Sequence, residues 1–293
     1  MRYRSICLVV AVAAVAAVMP AFGETISVNL GSASSFALLG STITDTGDSN
    51  VGGDVGATTT ITVNSPWTVT GTVYPAGNLT AMGAYNDFET AYNTAFGLGS
   101  TQPSLNALAV DETFTGNNVY SFTGDISTTT GTALTFDAQN NPNEVFVMQV
   151  DGAFTVNGIL TFDLINGAKA NNIFWIVKDA ATISVGSSPP QVFDGSILAG
   201  TSFTMSAISG GSGFLAGTVN GCVFSETANT LAGETNVSGC LGGGMPGGGP
   251  SGGTGGGTGG GTTGGVPEPG SAELMSLGCL LGIVAWRKLG TSL

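Results

Sequence analysis

The sequence predicts a mainly β chain wound as a parallel β-helix, or solenoid, with one long α-helix packed alongside. Three observations carry that expectation. Short runs alternate apolar and polar residues, as in Ala153-Phe154-Thr155-Val156-Asn157 and Thr201-Ser202-Phe203-Thr204-Met205-Ser206, which is the period of a strand with one buried face. Strand pairs recur: apolar runs at Val145 to Val150 and Ile173 to Val177 each lead through a turn into a second alternating strand, Phe154 to Asn157 and Ala181 to Val185. Finally, Leu198-Ala199-Gly200-Thr201 returns as Leu215-Ala216-Gly217-Thr218, with a weaker echo at Leu231-Ala232-Gly233-Glu234. Strand, corner, strand, corner and return to the same face describe a coil rather than a sandwich. The spacing runs from about seventeen residues to nearly thirty, so some corners carry excursions.

The helix stands apart from this pattern. From Ala81 to Phe96 the residues Met82, Tyr85, Phe88, Tyr92 and Phe96 recur at three and four, with Thr80 placed to cap the start and Gly97 to end it. Its aromatic stripe is expected to pack on a sheet face.

The two ends of the chain read as addresses. Met1, Arg2 and Arg4, an apolar stretch from Ile6 to Met19 and the small-residue exit Ala21-Phe22-Gly23 form a secretory signal, residues 1–23. The domain proper then spans 24–240, long enough to bury its own core. Residues 241–265 are Gly with Thr, Ser and Pro, a flexible linker whose ends lie about 25 to 30 Å apart on average. The tail, 266–293, carries Pro267, Glu268 and Pro269, an apolar run from Leu274 to Trp286, and Arg287-Lys288. That run is shorter than the roughly 17 to 25 residues of a stable membrane span. The tail resembles the PEP-CTERM sorting signals of Gram-negative bacteria over Val266 to Gly290. The resemblance implies processing by an exosortase and a place in the cell envelope, at the cell surface or in an exopolysaccharide-containing matrix.

Composition removes whole classes of function. The chain has 6 Lys and Arg against 19 Asp and Glu, a net charge of −13, and the domain's basic residues are Lys169 and Lys178 alone. Nothing there neutralises phosphates, so no nucleic-acid partner is expected. The chain has no histidine, which excludes Ser-His-Asp and Cys-His mechanisms and the usual zinc sites. No cofactor is expected. Cys7 belongs to the leader and Cys279 to the tail, which leaves Cys222 and Cys240 as the pair expected to form one disulfide in an oxidising compartment.

With those residues in hand, the domain resembles the microbial ice-binding protein family. The matching stretches are Leu30-Gly31-Ser32-Ala33-Ser34-Ser35-Phe36-Ala37-Leu38-Leu39, Gly53-Asp54-Val55-Gly56, Tyr85 to Ala95, Phe136-Asp137-Ala138-Gln139 through Pro142 to Phe146, and Leu164-Ile165-Asn166-Gly167-Ala168 leading to Asn172-Ile173-Phe174-Trp175. The resemblance runs from about Leu30 to Thr230. It implies a right-handed parallel β-helix of triangular section, assembled discontinuously along the chain, with the helix lying on one face. It also implies ice, or ordered water, as the partner and no catalysis. The last coil, with Phe224-Ser225-Glu226-Thr227, departs from clean alternation.

Alternation then selects an outward face, because apolar neighbours turn inward. Around Ile43 it selects Thr42 and Thr44; around Phe154 and Val156, Ala153, Thr155 and Asn157; around Ile183, Thr182 and Ser184; and around Phe203 and Met205, Ser202, Thr204 and Ser206. These fall on equivalent second strands and form one candidate ice-binding face. The same positions also suit ordinary solvated strand residues. Asp137, Asp151, Asp163, Asp179 and Asp194 recur at coil spacing, as catalytic acids of a polysaccharide-cleaving β-helix would, yet Asx turns at corners explain them too. Asp45, Asp48 and Asp54 surround a glycine-rich turn without the spacing of an EF-hand loop. A non-catalytic matrix or adhesion module of a biofilm, with no ice activity, is the main alternative.

Overall fold

The computed structural model describes residues 26–240 except 65, 186–189 and 208–214. The expected leader, linker and sorting tail, with Pro267, Glu268 and Pro269, lie outside the described residues. Five strands, β1 (Phe36–Asp45), β2 (Asn50–Val51), β3 (Asp54–Val63), β4 (Thr68–Val69) and β5 (Val73–Tyr74), precede one helix, α1 (Leu79–Phe96). After it come β6 (Glu112–Thr115), β7 (Asn118–Thr123), β8 (Ile126–Thr128), β9 (Thr132–Asp137), β10 (Phe146–Asp151), β11 (Phe154–Asn157) and β12 (Leu160–Ile165). The chain continues through β13 (Ile173–Val177), β14 (Ala181–Val185), β15 (Gln191–Asp194), β16 (Ser196–Ala199), β17 (Ser202–Ala207), β18 (Leu215–Asn220), β19 (Val223–Ala232) and β20 (Glu234–Val237).

Every strand ladder among the described residues is parallel. The strands lie on three faces. The first is β7-β10-β13-β16-β19-β1-β3-β5, and the second is β8-β11-β14-β17-β19-β1-β3. The long strands β1, β3 and β19 serve both, because each runs through the corner. Register shifts between Gly40 and Thr42 place a bulge where β1 bends against both neighbours. The third face is split into β12-β9-β6 and β15-β18-β20-β2-β4. The Gln191 side chain bridges the split, accepting from Leu160 N at 2.8 Å and donating to Leu160 O at 2.7 Å.

The coils do not stack in chain order. β1 sits between β19 and β3, so the amino-terminal coils rest on the carboxy-terminal one, and α1 carries the chain back past them. The Leu-Ala-Gly repeat does not mark this stacking. Leu198–Thr201 closes a first-face strand, whereas Leu215–Thr218 lies on the third face. The recurring unit is the strand pair, and it was the alternation that identified it.

α1 starts two residues earlier than the spacing suggests. Asn78, not Thr80, is the cap: its side chain accepts from Thr80 N at 2.8 Å, and Gly97 closes the other end. The buried stripe is Ala81, Ala84, Phe88, Ala91, Tyr92 and Ala95, while Met82 is 42% exposed. Alanines let the helix lie close to the sheet. It covers the outer side of the first face with Phe36, Leu39, Val147, Ile176, Leu198 and Phe224 beneath it. This explains why β10 and β13 are apolar almost without interruption: both sides of those strands are buried, one by the coil interior and one by the helix. The Cys222–Cys240 bond, S–S 2.07 Å, holds the end of the described chain to the start of β19.

Candidate functional site

The second face is the one that neither the helix nor a break interrupts. Its inward column reads Ile126, Phe154, Ala181, Phe203, Asn229, Ile43 and Ile61, in spatial order. One residue further on, the outward column reads Ser127, Thr155, Thr182, Thr204, Thr230, Thr44 and Thr62. Six of these seven rows carry Thr at the same register, so the column is a straight ladder of one side chain rather than a scatter of polar residues. A second column holds Ser202, Ala228, Thr42 and Thr60, and a third holds Asn157, Ser184, Ser206 and Ala232. Rows lie about 4.7 to 4.9 Å apart and columns about 6.6 to 6.8 Å apart.

All ten residues selected by alternation lie at this face. Thr42, Thr44, Thr155, Thr182, Ser184, Ser202, Thr204 and Ser206 are half-buried, as side chains standing side by side must be, and Asn157 is exposed. Ala153 sits in the turn just before β11, with its N–H on Asp125 Oδ1 at 2.8 Å, and forms the margin. Alternation overlooked Ser127, Thr60, Thr62, Ala228, Thr230 and Ala232. Thr60-Ile61-Thr62 repeats the motif Thr42-Ile43-Thr44 and was readable. Thr230 was hidden because its inward neighbour is the polar Asn229, fully buried with Nδ2 on Leu39 O at 2.8 Å.

The face is uncharged and rigid. None of its outward rows carries an acid or a base. Phe154, Val156, Ile183, Phe203 and Met205 are essentially inaccessible behind it, so the outward side chains have a fixed floor. χ1 of Thr is stiff, which keeps methyl and hydroxyl in a repeated orientation. The other faces lack these properties. The third face carries Asp163, Asp137 and the exposed Val192 as well as its split, and the first is covered by α1.

Of the five recurring aspartates, Asp137, Asp151 and Asp194 have structural occupations. Asp137 accepts from Gln139 N at 2.7 Å and Asn166 Nδ2 at 2.8 Å; Asp151 pairs with Lys178 Nζ at 2.6 Å; Asp194 accepts from Asn220 Nδ2 at 2.7 Å. Asp163 lies within β12 rather than at a corner. Burial raises the Asp194 carboxyl above the usual range. Asp45 and Asp54 also serve turns: Asp45 Oδ1 accepts from Gly47 N and Ser49 Oγ, and Asp54 Oδ1 from Thr72 N. Among the described residues, no three acids or cysteines gather in a way that could hold a metal ion. Beneath α1, Tyr85 and Tyr92 are pushed up to about 12, first by burial and then by nearby carboxylates, Glu226 among them. Tyr85 donates to Glu226 O at 2.6 Å, which pins the corner of β19 to the helix.

Known proteins share this arrangement. A family model described as Ice-binding-like matches residues 37–237. An ice-binding protein of Flavobacterium frigoris (strain PS1) is 30% identical over 236 residues, covering 73% of this chain and 77% of that protein. One from Nostoc sp. (strain HG1) is 35% identical over 182 residues, covering 60% and 63% respectively. The crystal structure of an ice-binding protein from the Antarctic ascomycete Antarctomyces psychrotrophicus superposes with a TM-score of 0.62 at 28% identity, covering 72% of this chain and 97% of that one. A match to the family model over most of the described domain, reinforced by a relative that pairs with nearly three quarters of the chain, decides the assignment: this protein belongs to the ice-binding-like family.

Proposed function

We propose that the chain is an exported ice-binding protein that adsorbs to ice through its second face and restrains crystal growth or recrystallisation. The observation that carries the reading is the Thr ladder, which extends over Thr155, Thr182, Thr204, Thr230, Thr44 and Thr62 at one register. Each Thr presents a methyl that disfavours disordered water and a hydroxyl that donates and accepts. A flat two-dimensional array of such groups orders a water layer that merges with the lattice. Adsorption pins the ice front; no bond is made or broken, and no cofactor is required. Low entropy loss in the stiff side chains favours a broad, shallow contact of this kind. The relatives named above, each an ice-binding protein, support the same reading.

The contact set consists of Thr42, Thr44, Ala153, Thr155, Asn157, Thr182, Ser184, Ser202, Thr204 and Ser206, extended by Thr60, Thr62 and Thr230. The coil is read as right-handed and triangular in section. Residues 1–23 direct export, and the tail around Pro267, Glu268 and Pro269 is read by an exosortase that leaves the domain at the cell surface or in an exopolysaccharide matrix. There it holds the surface of a Gram-negative cell against ice or keeps liquid channels open around it.

Thermal hysteresis and ice shaping test this directly, on the parent and on a Thr155→Tyr, Thr182→Tyr, Thr204→Tyr variant with unchanged circular dichroism. The parent is expected to shape ice, and the variant to lose most of the hysteresis because the rings lift the face off the lattice. Activity retained in the folded variant moves the site to another face. A folded parent without activity leaves the matrix or adhesion module as the function.

A further inference from the structure

The two ends of the solenoid are finished differently. At the β7 and β8 end, the segment following α1 crosses the last coil, with bridges from Leu105 to Phe122 and from Leu108 to Thr128. At the other end, β3 is paired with β1 along its length but with β5 only at Val55 and Gly56. The outer edge of Thr60-Ile61-Thr62-Val63 therefore has no neighbouring strand among the described residues. Asn64 N donates to Asp45 O, so backbone alternation turns the N–H and C=O of Ile61 and Val63 away from β1 and out along that edge.

Natural edges are usually blunted by Lys, Pro or an inward charge. This one has none of these from Ala57 to Val63, and Val63 on it is 38% exposed. An uncharged edge is also where two copies of a chain with net charge −13 approach at least electrostatic cost. The chain's own remaining segments are poor occupants. The described amino terminus is tied to the opposite end, through Ile26 N on Asn117 Oδ1 at 2.8 Å. Residues 241–265, which follow Cys240 directly, are dominated by glycine, which loses the most entropy on joining a strand.

We propose that β3 is the interface of a two-fold homodimer, in which the β3 strands of two copies pair antiparallel about Ile61. Pairing Ile61 with its counterpart places Thr60 opposite Thr62 of the second copy. Side chains opposite one another in an antiparallel pair project to the same side. The Thr columns thus continue from one copy into the next on a single surface. The covered end at β7 and β8 offers no matching edge, so the contact closes at two copies instead of growing into a filament.

Sedimentation equilibrium of the full-length chain, purified from an exporting host, tests the interface without reference to ice. The parent is expected to pass from one-chain to two-chain mass with rising concentration. Val63→Pro removes an edge N–H without touching the β1 ladder, and Val63→Lys adds a charge at the contact. Either variant, folded by circular dichroism, is expected to raise the midpoint concentration at least about tenfold. A parent that keeps one-chain mass at all concentrations overturns the proposal, as does a two-chain mass that the folded lysine variant leaves unchanged. Hysteresis measured on the same samples reports separately on the ice-binding reading, since a monomer that shapes ice refutes the dimer and nothing else.

Discussion

Asp45 follows Thr44 and turns inward one step beyond the Ile43 column, opposite Leu231; it is fully buried, with Oδ2 unpartnered and Oδ1 held by Gly47 and Ser49. Burial raises its carboxyl above the ordinary range, and the nearby hydrogen bonds only partly offset this. A raised folded-state value means stability that is fully present in acid and lost as pH rises through it. Replacement by Asn keeps the Oδ1 bonds and removes the charge. Asp45→Asn is therefore expected to stabilise the domain by about 1 kcal/mol at pH 7 and by little below pH 4, read as the difference between two thermal melts. Single residues were also where sequence reasoning reached its limit. Apolar neighbours located ten face residues, but Thr230 escaped because Asn229 beside it is a buried amide that serves Leu39 O at the bulge. Alternation registers hydrophobicity; it does not register a polar side chain buried because a backbone carbonyl needs it.

At the scale of elements, the α1 stripe was right in most of its members: Phe88 and Tyr92 are buried, Tyr85 and Phe96 pack partly buried against the same cluster, and only Met82 is largely exposed. The period of three and four identified a helix ending at Gly97 and its aromatic contacts, but not the alanines between them. Ala81, Ala84, Ala91 and Ala95 complete the contact around Phe88 and Tyr92. Small residues bring the helix axis nearer the sheet, and a near axis leaves Met82 outside. Phe88 is the one large side chain at the centre, with its ring 5.6 Å from Phe224 and 5.7 Å from Tyr85. Phe88→Ala is expected to cost about 3 to 5 kcal/mol in urea unfolding. Asn78→Ala, which removes the cap, is expected to cost about 1 kcal/mol in the same assay. A larger loss at Asn78 than at Phe88 would mean that helix formation, rather than docking, limits stability. The second-face strands were legible to within a residue or two because they are half-exposed. On the third face β2 and β4 have two residues each and carry no period, whereas β9 and β12 alternate cleanly and were readable.

Across the whole molecule, the Cys222–Cys240 bond lies beside the seam at which β1 meets β19. Its sequence separation is 18, and Cys240 Sγ approaches Phe36 O at 3.5 Å, at the first residue of β1. Removing the bond by Cys222→Ser with Cys240→Ser is expected to lower stability by about 3 kcal/mol, measured as a shift in the denaturation midpoint. The order of coils in space was implied by family resemblance and by nothing in the local pattern. No periodicity announces that residues near Thr42 rest against residues near Ala228, a partnership set by the fold of the entire chain.

That partnership also governs when the surface exists. Thr42 bonds to Thr227 O across 185 positions of chain, and Thr44 finds its neighbour Thr230 only after every intervening coil has been laid down. The amino-terminal coils are the first to be made, and the strand they rest on, β19, comes only at the end of the domain. They wait, with apolar undersides bare, until the last coil arrives. High contact order of this kind makes folding slow and leaves the waiting half open to misassociation. The ladder is thus a property of the finished polypeptide, and a chain interrupted before Thr230 would present two short arrays instead of one.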